Sequence, residues 1–230
     1  IGGGLFTAIG VLAALHERER SGEGQMVDIS MLDCQIALLE NAFMRYFVTG
    51  EVPGPIGTRH PAATPFQAFP TKDGYIVLAV SWGVENQWEL FCALIERPEL
   101  INDRRFDTPH ARTANHAELE PLLNEALQPR ATAEWIEQFD AIGLPCGPLN
   151  NIPQAAELPQ IRAREMLVEV DHPQIGRTPL ANTPVKLSRT PGGIKGASPA
   201  FGAHTDETLR SLLGMSDEEI AQLRESGAVL

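Results

Sequence analysis

The chain has 230 residues, of which 43% are hydrophobic and 21% are charged, so it can bury a sizeable core and is not expected to be disordered. Its net charge of -12 argues against a nucleic-acid partner, because neutralising phosphates requires a basic face. The three cysteines, Cys34, Cys92 and Cys146, are odd in number and far apart, which fits neither a disulfide framework nor a zinc site. They predict a reducing, cytoplasmic setting.

The chain opens on IGGGLFTAIGVLAALHERER, in which apolar residues recur at helical spacing. The apolar part, residues 5–15, is shorter than the ~20 residues that a membrane span needs. We therefore expect a half-buried helix and no membrane partner. Because the first residue is Ile1 rather than Met, we also expect the chain to be a piece of a longer protein.

Three glycines, Gly2, Gly3 and Gly4, stand ahead of the expected helix. They lack a Cβ atom and let a ligand approach the backbone, and amides at a helix start carry partial positive charge. These glycines could therefore cradle an anion or an oxyanion. Close packing of the helix on a sheet is the alternative, and spacing alone favours it.

The next segments alternate between helix and strand, which is the pattern of an α/β layer. Residues 25–30 alternate like a short strand, and residues 31–50 predict one helix that ends at Gly50. Residues 51–70 are rich in proline and predict a long exposed loop without regular structure. A turn at 73–74 then leads into a strand over residues 75–81.

The remaining segments are predicted to be mostly helical, with one hairpin. A helix is expected over residues 86–95, followed by a helical middle in which leucines and then aromatic residues form apolar stripes. These stripes are interpreted as core rather than as cofactor contacts. The turn at residues 172–176 predicts a hairpin, and two short helices are expected over 205–213 and 216–227.

Few side chains in the sequence suggest chemistry by themselves. Arg59 and His60, in the loop GTRHPAATP, can meet an anion, although incidental surface charges would give the same pattern. Cys146 is interpreted as structural, because no histidine is placed beside it. Glu85 follows a strand, where a catalytic carboxylate is common, but an acid at a helix start is favoured. The histidines show no metal-ligand spacing, and no metal is expected.

Five collinear stretches give the chain a specific resemblance to the class III CoA-transferases, the group that also includes the α-methylacyl-CoA racemases. They include GGGLFTAIGVLAALHERERSGEGQMVDISMLD, GTRHPAATPFQAFPTKDGYIVLAV and FGAHTDETLRSLLGMSDEEIAQLRESGAV. The resemblance implies an α/β fold, with part of a Rossmann-like large domain and a small α+β domain joined by long linkers. Residues 1–50 would end the large domain and begin the linker, 51–140 would form the small domain, and 141–230 would form the second linker and the return to the large domain.

The resemblance also implies a reaction and a set of partners. In that family an aspartate attacks a CoA thioester, and it is expected immediately before Ile1. Gly2, Gly3 and Gly4 would then supply the backbone that stabilises the oxyanion. No tightly bound cofactor is implied, because the coenzyme A thioester is a substrate, and the expected partner is a second copy in an interlocked homodimer. This chain alone is expected to be inactive, since it lacks the aspartate and most CoA contacts.

The loop of Thr58, Arg59, His60, Pro61 and Ala62 corresponds to the glycine-rich substrate loop of formyl-CoA transferases. Its glycines are replaced by RHPAA here, which argues against formyl-CoA as the donor. Arg59 or His60 could face a carboxylate of the acceptor, which fits a donor such as succinyl-CoA.

Two alternatives to a transferase stay open. An α-methylacyl-CoA racemase would move a proton beside the thioester, and Glu85 would match an acid of that branch only if two residues are inserted before it. A fragment that serves only as a structural or interaction subunit is the other.

Overall fold

The structure is a computed structural model that describes residues 1–80 and 85–229. The chain divides into two compact units. The first comprises Ile1–Phe69, Leu78–Ala126 and Ala141–Pro145. The second comprises Pro70–Val77, Leu127–Asp140 and Cys146–Leu230. The mixture of helices with small sheets is the mixed α/β class that the sequence predicted.

The first unit opens with three helices, α1 (Gly2–Ser21), α2 (Met31–Leu38) and α3 (Glu40–Thr49). Helices α1 and α3 end at Gly22 and Gly50, which take the left-handed conformation that a glycine adopts without strain. The expectation of one helix over residues 31–50 is wrong, because Leu39 leaves helical geometry at φ -95° and ψ 17°.

The strand expected over residues 25–30 is also wrong, since this segment joins no sheet in the described part of the chain. Instead it runs along α1 where Gly10 leaves room for it. A Cβ atom on Gly10 would lie 3.0 Å from Val27 Cγ1 and 3.5 Å from Ile29 Cδ1. The apolar side chains of this segment therefore pack on a helix rather than pair with a neighbouring strand.

Strands β1 (Phe66–Pro70), β2 (Tyr75–Ala79) and β3 (Cys146–Pro148) form a sheet in the order β1-β2-β3. The predicted strand after the 73–74 turn is confirmed over Tyr75–Ala79, whereas Val80 lies beyond the end of the strand and Ser81 lies outside the described residues. The prediction that residues 51–70 lack regular structure is wrong at their end, where β1 buries alternate side chains, Gln67 and Phe69.

Between β2 and β3 the described residues form helices α4 (Gln87–Leu94), α5 (Pro109–Ala114), α6 (His116–Leu127) and α7 (Thr132–Ala141), with a 3-10 turn at Pro98–Leu100. The predicted apolar stripes are confirmed as core. Their buried members are Leu119, Leu123 and Leu127 of α6 and Trp135 and Phe139 of α7.

The second unit ends with short helices α8 (Ile152–Glu157) and α9 (Pro159–Ala163), the hairpin of β4 (Leu167–His172) and β5 (Gly176–Ala181), and helices α10 (Thr205–Leu213) and α11 (Asp217–Glu225). The hairpin is confirmed as antiparallel, with Leu167 opposite Ala181. A capping box of Ser216 and Glu219 starts α11, as predicted. Within the described residues, none of the helices combines the length and the apolar character needed to cross a bilayer.

Candidate active site

Gly2, Gly3 and Gly4 form the first turn of α1, so the expectation that they stand ahead of the helix is wrong. The first backbone hydrogen bond runs from the Leu5 amide to the Ile1 carbonyl, 3.1 Å away. The three glycine amides lie before that bond, where an α-helix offers no carbonyl to its own donors. They form the positive end of a 20-residue helix, an arrangement that suits an anion.

The start of α1, where the glycines lie, also packs against helix α2 rather than against a sheet. A Cβ atom on Gly2 would lie 3.2 Å from Leu38 Cδ1, and one on Gly3 would lie 3.4 Å from Met31 Cγ. A Cβ atom on Gly4 would meet nothing within 4 Å. Helix packing therefore favours glycine at position 2, whereas a side chain at position 3 would make an ordinary contact and one at position 4 would make none.

The loop of Thr58 to Ala62 is fastened to strand β1 by backbone and side-chain contacts. The His60 amide donates to the Phe66 carbonyl at 2.8 Å, and the two rings stack with centroids 5.0 Å apart. The Thr58 hydroxyl accepts a hydrogen bond of 3.1 Å from the Ala68 amide. His60 Nδ1 accepts from the Ala62 amide at 3.2 Å, which gives this loop a turn of its own.

A buried polar cluster, formed by Gln67, His116 and Glu120, joins β1 to helix α6. His116 Nε2 lies 2.6 Å from Gln67 Oε1, and Gln67 Nε2 donates to Glu120 Oε1 at 2.7 Å. His116 Nδ1 lies 3.8 Å from Glu120 Oε2. Since Gln67 Oε1 can only accept, this contact is a hydrogen bond when His116 carries a proton on Nε2.

Burial lowers the pKa of His116, and the positive charge of Arg59 lowers it further, while Glu120 opposes both. The neutral ring is thereby favoured. Arg59 of the loop is close enough to this histidine to act on its charge, so the loop and the cluster are electrostatically linked.

The sequence interpretation missed Gln67 and His116. A signal existed, because Gln67 stands two positions before Phe69 and shares its buried face. A buried amide needs hydrogen-bond partners, so a glutamine on this face indicates that polar partners exist elsewhere in the chain.

Beside the loop lies an open cleft of about 610 Å³, lined by Pro61, Ala62, Thr108, Pro109, His110 and Thr113. The hydroxyl groups of its two threonines are engaged within α5. Thr108 Oγ1 accepts from the Ala111 amide, and Thr113 Oγ1 donates to the Pro109 carbonyl. The cleft thus presents mainly apolar surface to whatever occupies it.

The remaining candidates from the sequence take no part in these groups. Burial and the nearby Asp140 raise the pKa of the Cys146 thiol to about 11, so it is not an activated nucleophile. Burial raises the pKa of Cys92 to about 12. Glu85 is exposed, and it directly precedes Asn86, the residue that caps α4.

The chain belongs to CoA-transferase family III, because the sequence model of that family matches residues 1–205. The family resemblance is confirmed by relatives. The chain is 30% identical over 226 residues to succinyl-CoA:glutarate CoA-transferase of Homo sapiens, covering 98% of this chain and 51% of that protein. It is 38% identical over 186 residues to acetyl-CoA:oxalate CoA-transferase of Acetobacter aceti, covering 81% and 46%.

Solved structures agree with the fold. A CAIB/BAIF family protein of Brucella suis superposes with a TM-score of 0.75 at 31% identity, covering 90% of this chain and 53% of that one. A protein of M. tuberculosis gives a TM-score of 0.72 at 30% identity, covering 88% and 53%. The chain therefore spans about half the length of the relatives that it matches.

Proposed function

We propose that the protein to which this chain belongs transfers coenzyme A from an acyl-CoA donor to a carboxylic acid. The collinear match of residues 1–205 to the family carries this proposal. The glycine-opened helix α1 supports it, because the family's reaction needs a site for negative charge at that point.

The proposed nucleophile is an aspartate immediately before Ile1. Ile1 is the N-cap residue of α1. There its carboxylate stays ionised beside the positive end of the helix. It attacks the thioester carbonyl and releases the CoA thiolate, which leaves a mixed anhydride. The thiolate then attacks the aspartyl carbonyl, so that an enzyme–CoA thioester forms and the donor acid departs. The acceptor carboxylate repeats these steps in reverse.

Gly2, Gly3 and Gly4 have the proposed role of stabilising charge with their amides. The oxygen of each tetrahedral intermediate carries the negative charge that such donors are suited to bind. Gly4 also leaves open space where any side chain would protrude. Since the whole cycle uses a carboxylate, a thiolate and amides, the proposed reaction draws only on substrates and protein groups.

We propose that the acceptor is a small dicarboxylic acid. The names of relatives include glutarate, oxalate and D-citramalate as substrates of those proteins. In this chain, the half-buried Arg59 and the His60 ring lie in the proposed substrate loop. A guanidinium group in such a loop would pair with the second, non-reacting carboxylate. Succinyl-CoA, which also bears a free carboxylate, is the proposed donor.

The proposed protein is an interlocked homodimer of the cytoplasm, with its small domain near residues 51–140 as the resemblance implies. Large apolar side chains of the first unit are exposed, which supports a partner that covers them. Met31 is 80% exposed and Val48 is 77% exposed.

The test uses the longer gene product, assayed with succinyl-CoA and a series of dicarboxylic and monocarboxylic acids. We expect transfer to a dicarboxylic acid, no transfer by the isolated 230-residue chain, and no deuterium exchange beside the thioester carbonyl. Replacing the residue before Ile1 with alanine should abolish turnover. Exchange of deuterium without acyl transfer would instead indicate the racemase branch, and activity of the isolated chain would place the nucleophile within it.

A further inference from the structure

We propose that Gln67 and His116 are positioning residues that hold the substrate loop in place for the acceptor acid. The inference rests on the proposed function, because it takes the loop of Thr58 to Ala62 as the acceptor's loop. It assigns to this pair an indirect role, since neither residue belongs to the loop itself.

The loop is joined to strand β1 at two points. Both Thr58 and His60 are tied to residues of β1 that flank Gln67 on either side. His60 binds Phe66 through its amide and its ring, and Thr58 accepts from the Ala68 amide. A displacement of this part of β1 therefore displaces both ends of the Thr58–His60 segment.

Strand β1 is itself anchored to helix α6 through the side chain of Gln67. Gln67 is 4% exposed, and both ends of its side-chain amide are used, one by His116 and one by Glu120. The two partners lie one helical turn apart on α6, so both hydrogen bonds to the amide come from the same helix. Breaking either bond would leave a buried polar atom of Gln67 without a hydrogen-bond partner. Because that is unfavourable, we expect Gln67 and strand β1 to shift.

The buried residue at position 67 is polar, although an apolar residue could be buried there without needing hydrogen-bond partners. Hydrogen bonds fix direction as well as distance, so this arrangement sets the register of the strand and hence the place of the loop. Groups that position a substrate must be held to within a fraction of an ångström.

The test compares His116→Phe with His116→Gln in the full-length enzyme. The phenylalanine cannot donate to Gln67 Oε1, whereas the glutamine retains an N–H donor. We expect His116→Phe to raise the KM for the acceptor by about 10- to 100-fold, and the KM for succinyl-CoA should rise with it because that donor also bears a free carboxylate. The KM for an acyl-CoA that lacks a free carboxylate should stay within about twofold. His116→Gln should recover most of that loss. His204→Phe, which removes an exposed histidine of the second unit, is the matched control and should behave as wild type.

Hydrogen exchange gives a second readout that requires no turnover. In His116→Phe, the amides of His60 and Ala68 should exchange faster than in wild type, because both are held by the contacts that the anchor maintains. An unchanged KM for the acceptor, faster exchange across the whole unit, or failure of His116→Gln to restore the loop would overturn the proposal. If wild-type enzyme lacks transferase activity, the proposed function fails, and exchange still decides whether His116 holds the loop.

Discussion

Arg112 carries a charged side chain into the interior of the first unit, where it is 4% exposed. Its Nε donates to the Thr64 carbonyl and its Nη1 to the Phe106 carbonyl, each at 3.0 Å, and its guanidinium lies 4.5 Å from the Trp88 ring centroid. Burial lowers the pKa of this arginine. The side chain thus connects Thr64, which follows the loop of Thr58 to Ala62, to the segment before α5.

We predict that Arg112→Met lowers the free energy of unfolding by about 2–4 kcal/mol, because two buried carbonyls lose their donor. Arg105→Met is the control, since Arg105 pairs with Asp103 and Glu118 at the exposed surface, where ion pairs contribute little. Urea unfolding of the full-length protein measures both. Equal losses from the two substitutions would contradict the role given to Arg112.

At the scale of single residues, the sequence indicated candidate site residues but not the residues that they contact. Arg59 and His60 were visible as charges in a loop, yet His116 lies 49 positions from the glutamine that it binds. Spacing along a chain carries no information on such a pair, because the contact forms only when β1 meets α6. The buried environment that raises the pKa of Cys146 is equally a product of folding.

Helix α1 and the segment after it show how an element depends on a single glycine. A side chain at position 10 would press against the Cγ1 methyl group of Val27, 3.0 Å from the added Cβ atom, while Ile29 would make an ordinary contact at 3.5 Å. A helix interior otherwise disfavours glycine by about 0.5–1 kcal/mol relative to alanine. Close packing between the helix and this extended segment is what compensates for that cost.

We predict that Gly10→Val destabilises the protein by about 1–3 kcal/mol, since its branched side chain must displace Val27. Ala13→Val, on an exposed position of the same helix, should cost only about 0.5 kcal/mol through helix propensity. Thermal or urea unfolding of both variants gives the comparison. A Gly10→Val protein as stable as Ala13→Val would show that the contact carries no packing demand.

Elements with strong local signals were predicted correctly from the sequence, and those set by neighbours were not. Gly50 and the Ser216–Glu219 box mark their helix ends through chemistry that is local in the chain. The break at Leu39 carries no proline or glycine, so periodicity gave no sign of it. Residues 25–30 alternate as a strand does, but alternation alone cannot tell a sheet from a helix as the packing surface.

At the scale of the whole molecule, the family and the fold class followed from collinear motifs that extend along the chain. Domain boundaries and assembly stay predictions, because they depend on surfaces that this half of the relatives' length does not include. The proposed homodimer predicts that further protein covers the apolar side chains exposed along α1 to α3. They include Leu5, Leu12, Met31, Leu32, Phe47 and Val48.

The proposed aspartate before Ile1 is tested most directly by supplying the longer gene product with succinyl-CoA and an acceptor acid labelled with oxygen-18 in its carboxylates. In the proposed cycle one carboxylate oxygen of the acceptor remains on the nucleophile when the acceptor leaves as its CoA thioester. Mass spectrometry of the digested enzyme should find the label on the residue that precedes Ile1. Label on a residue between Gly2 and Val229, or turnover that leaves the protein unlabelled, would contradict the proposed mechanism.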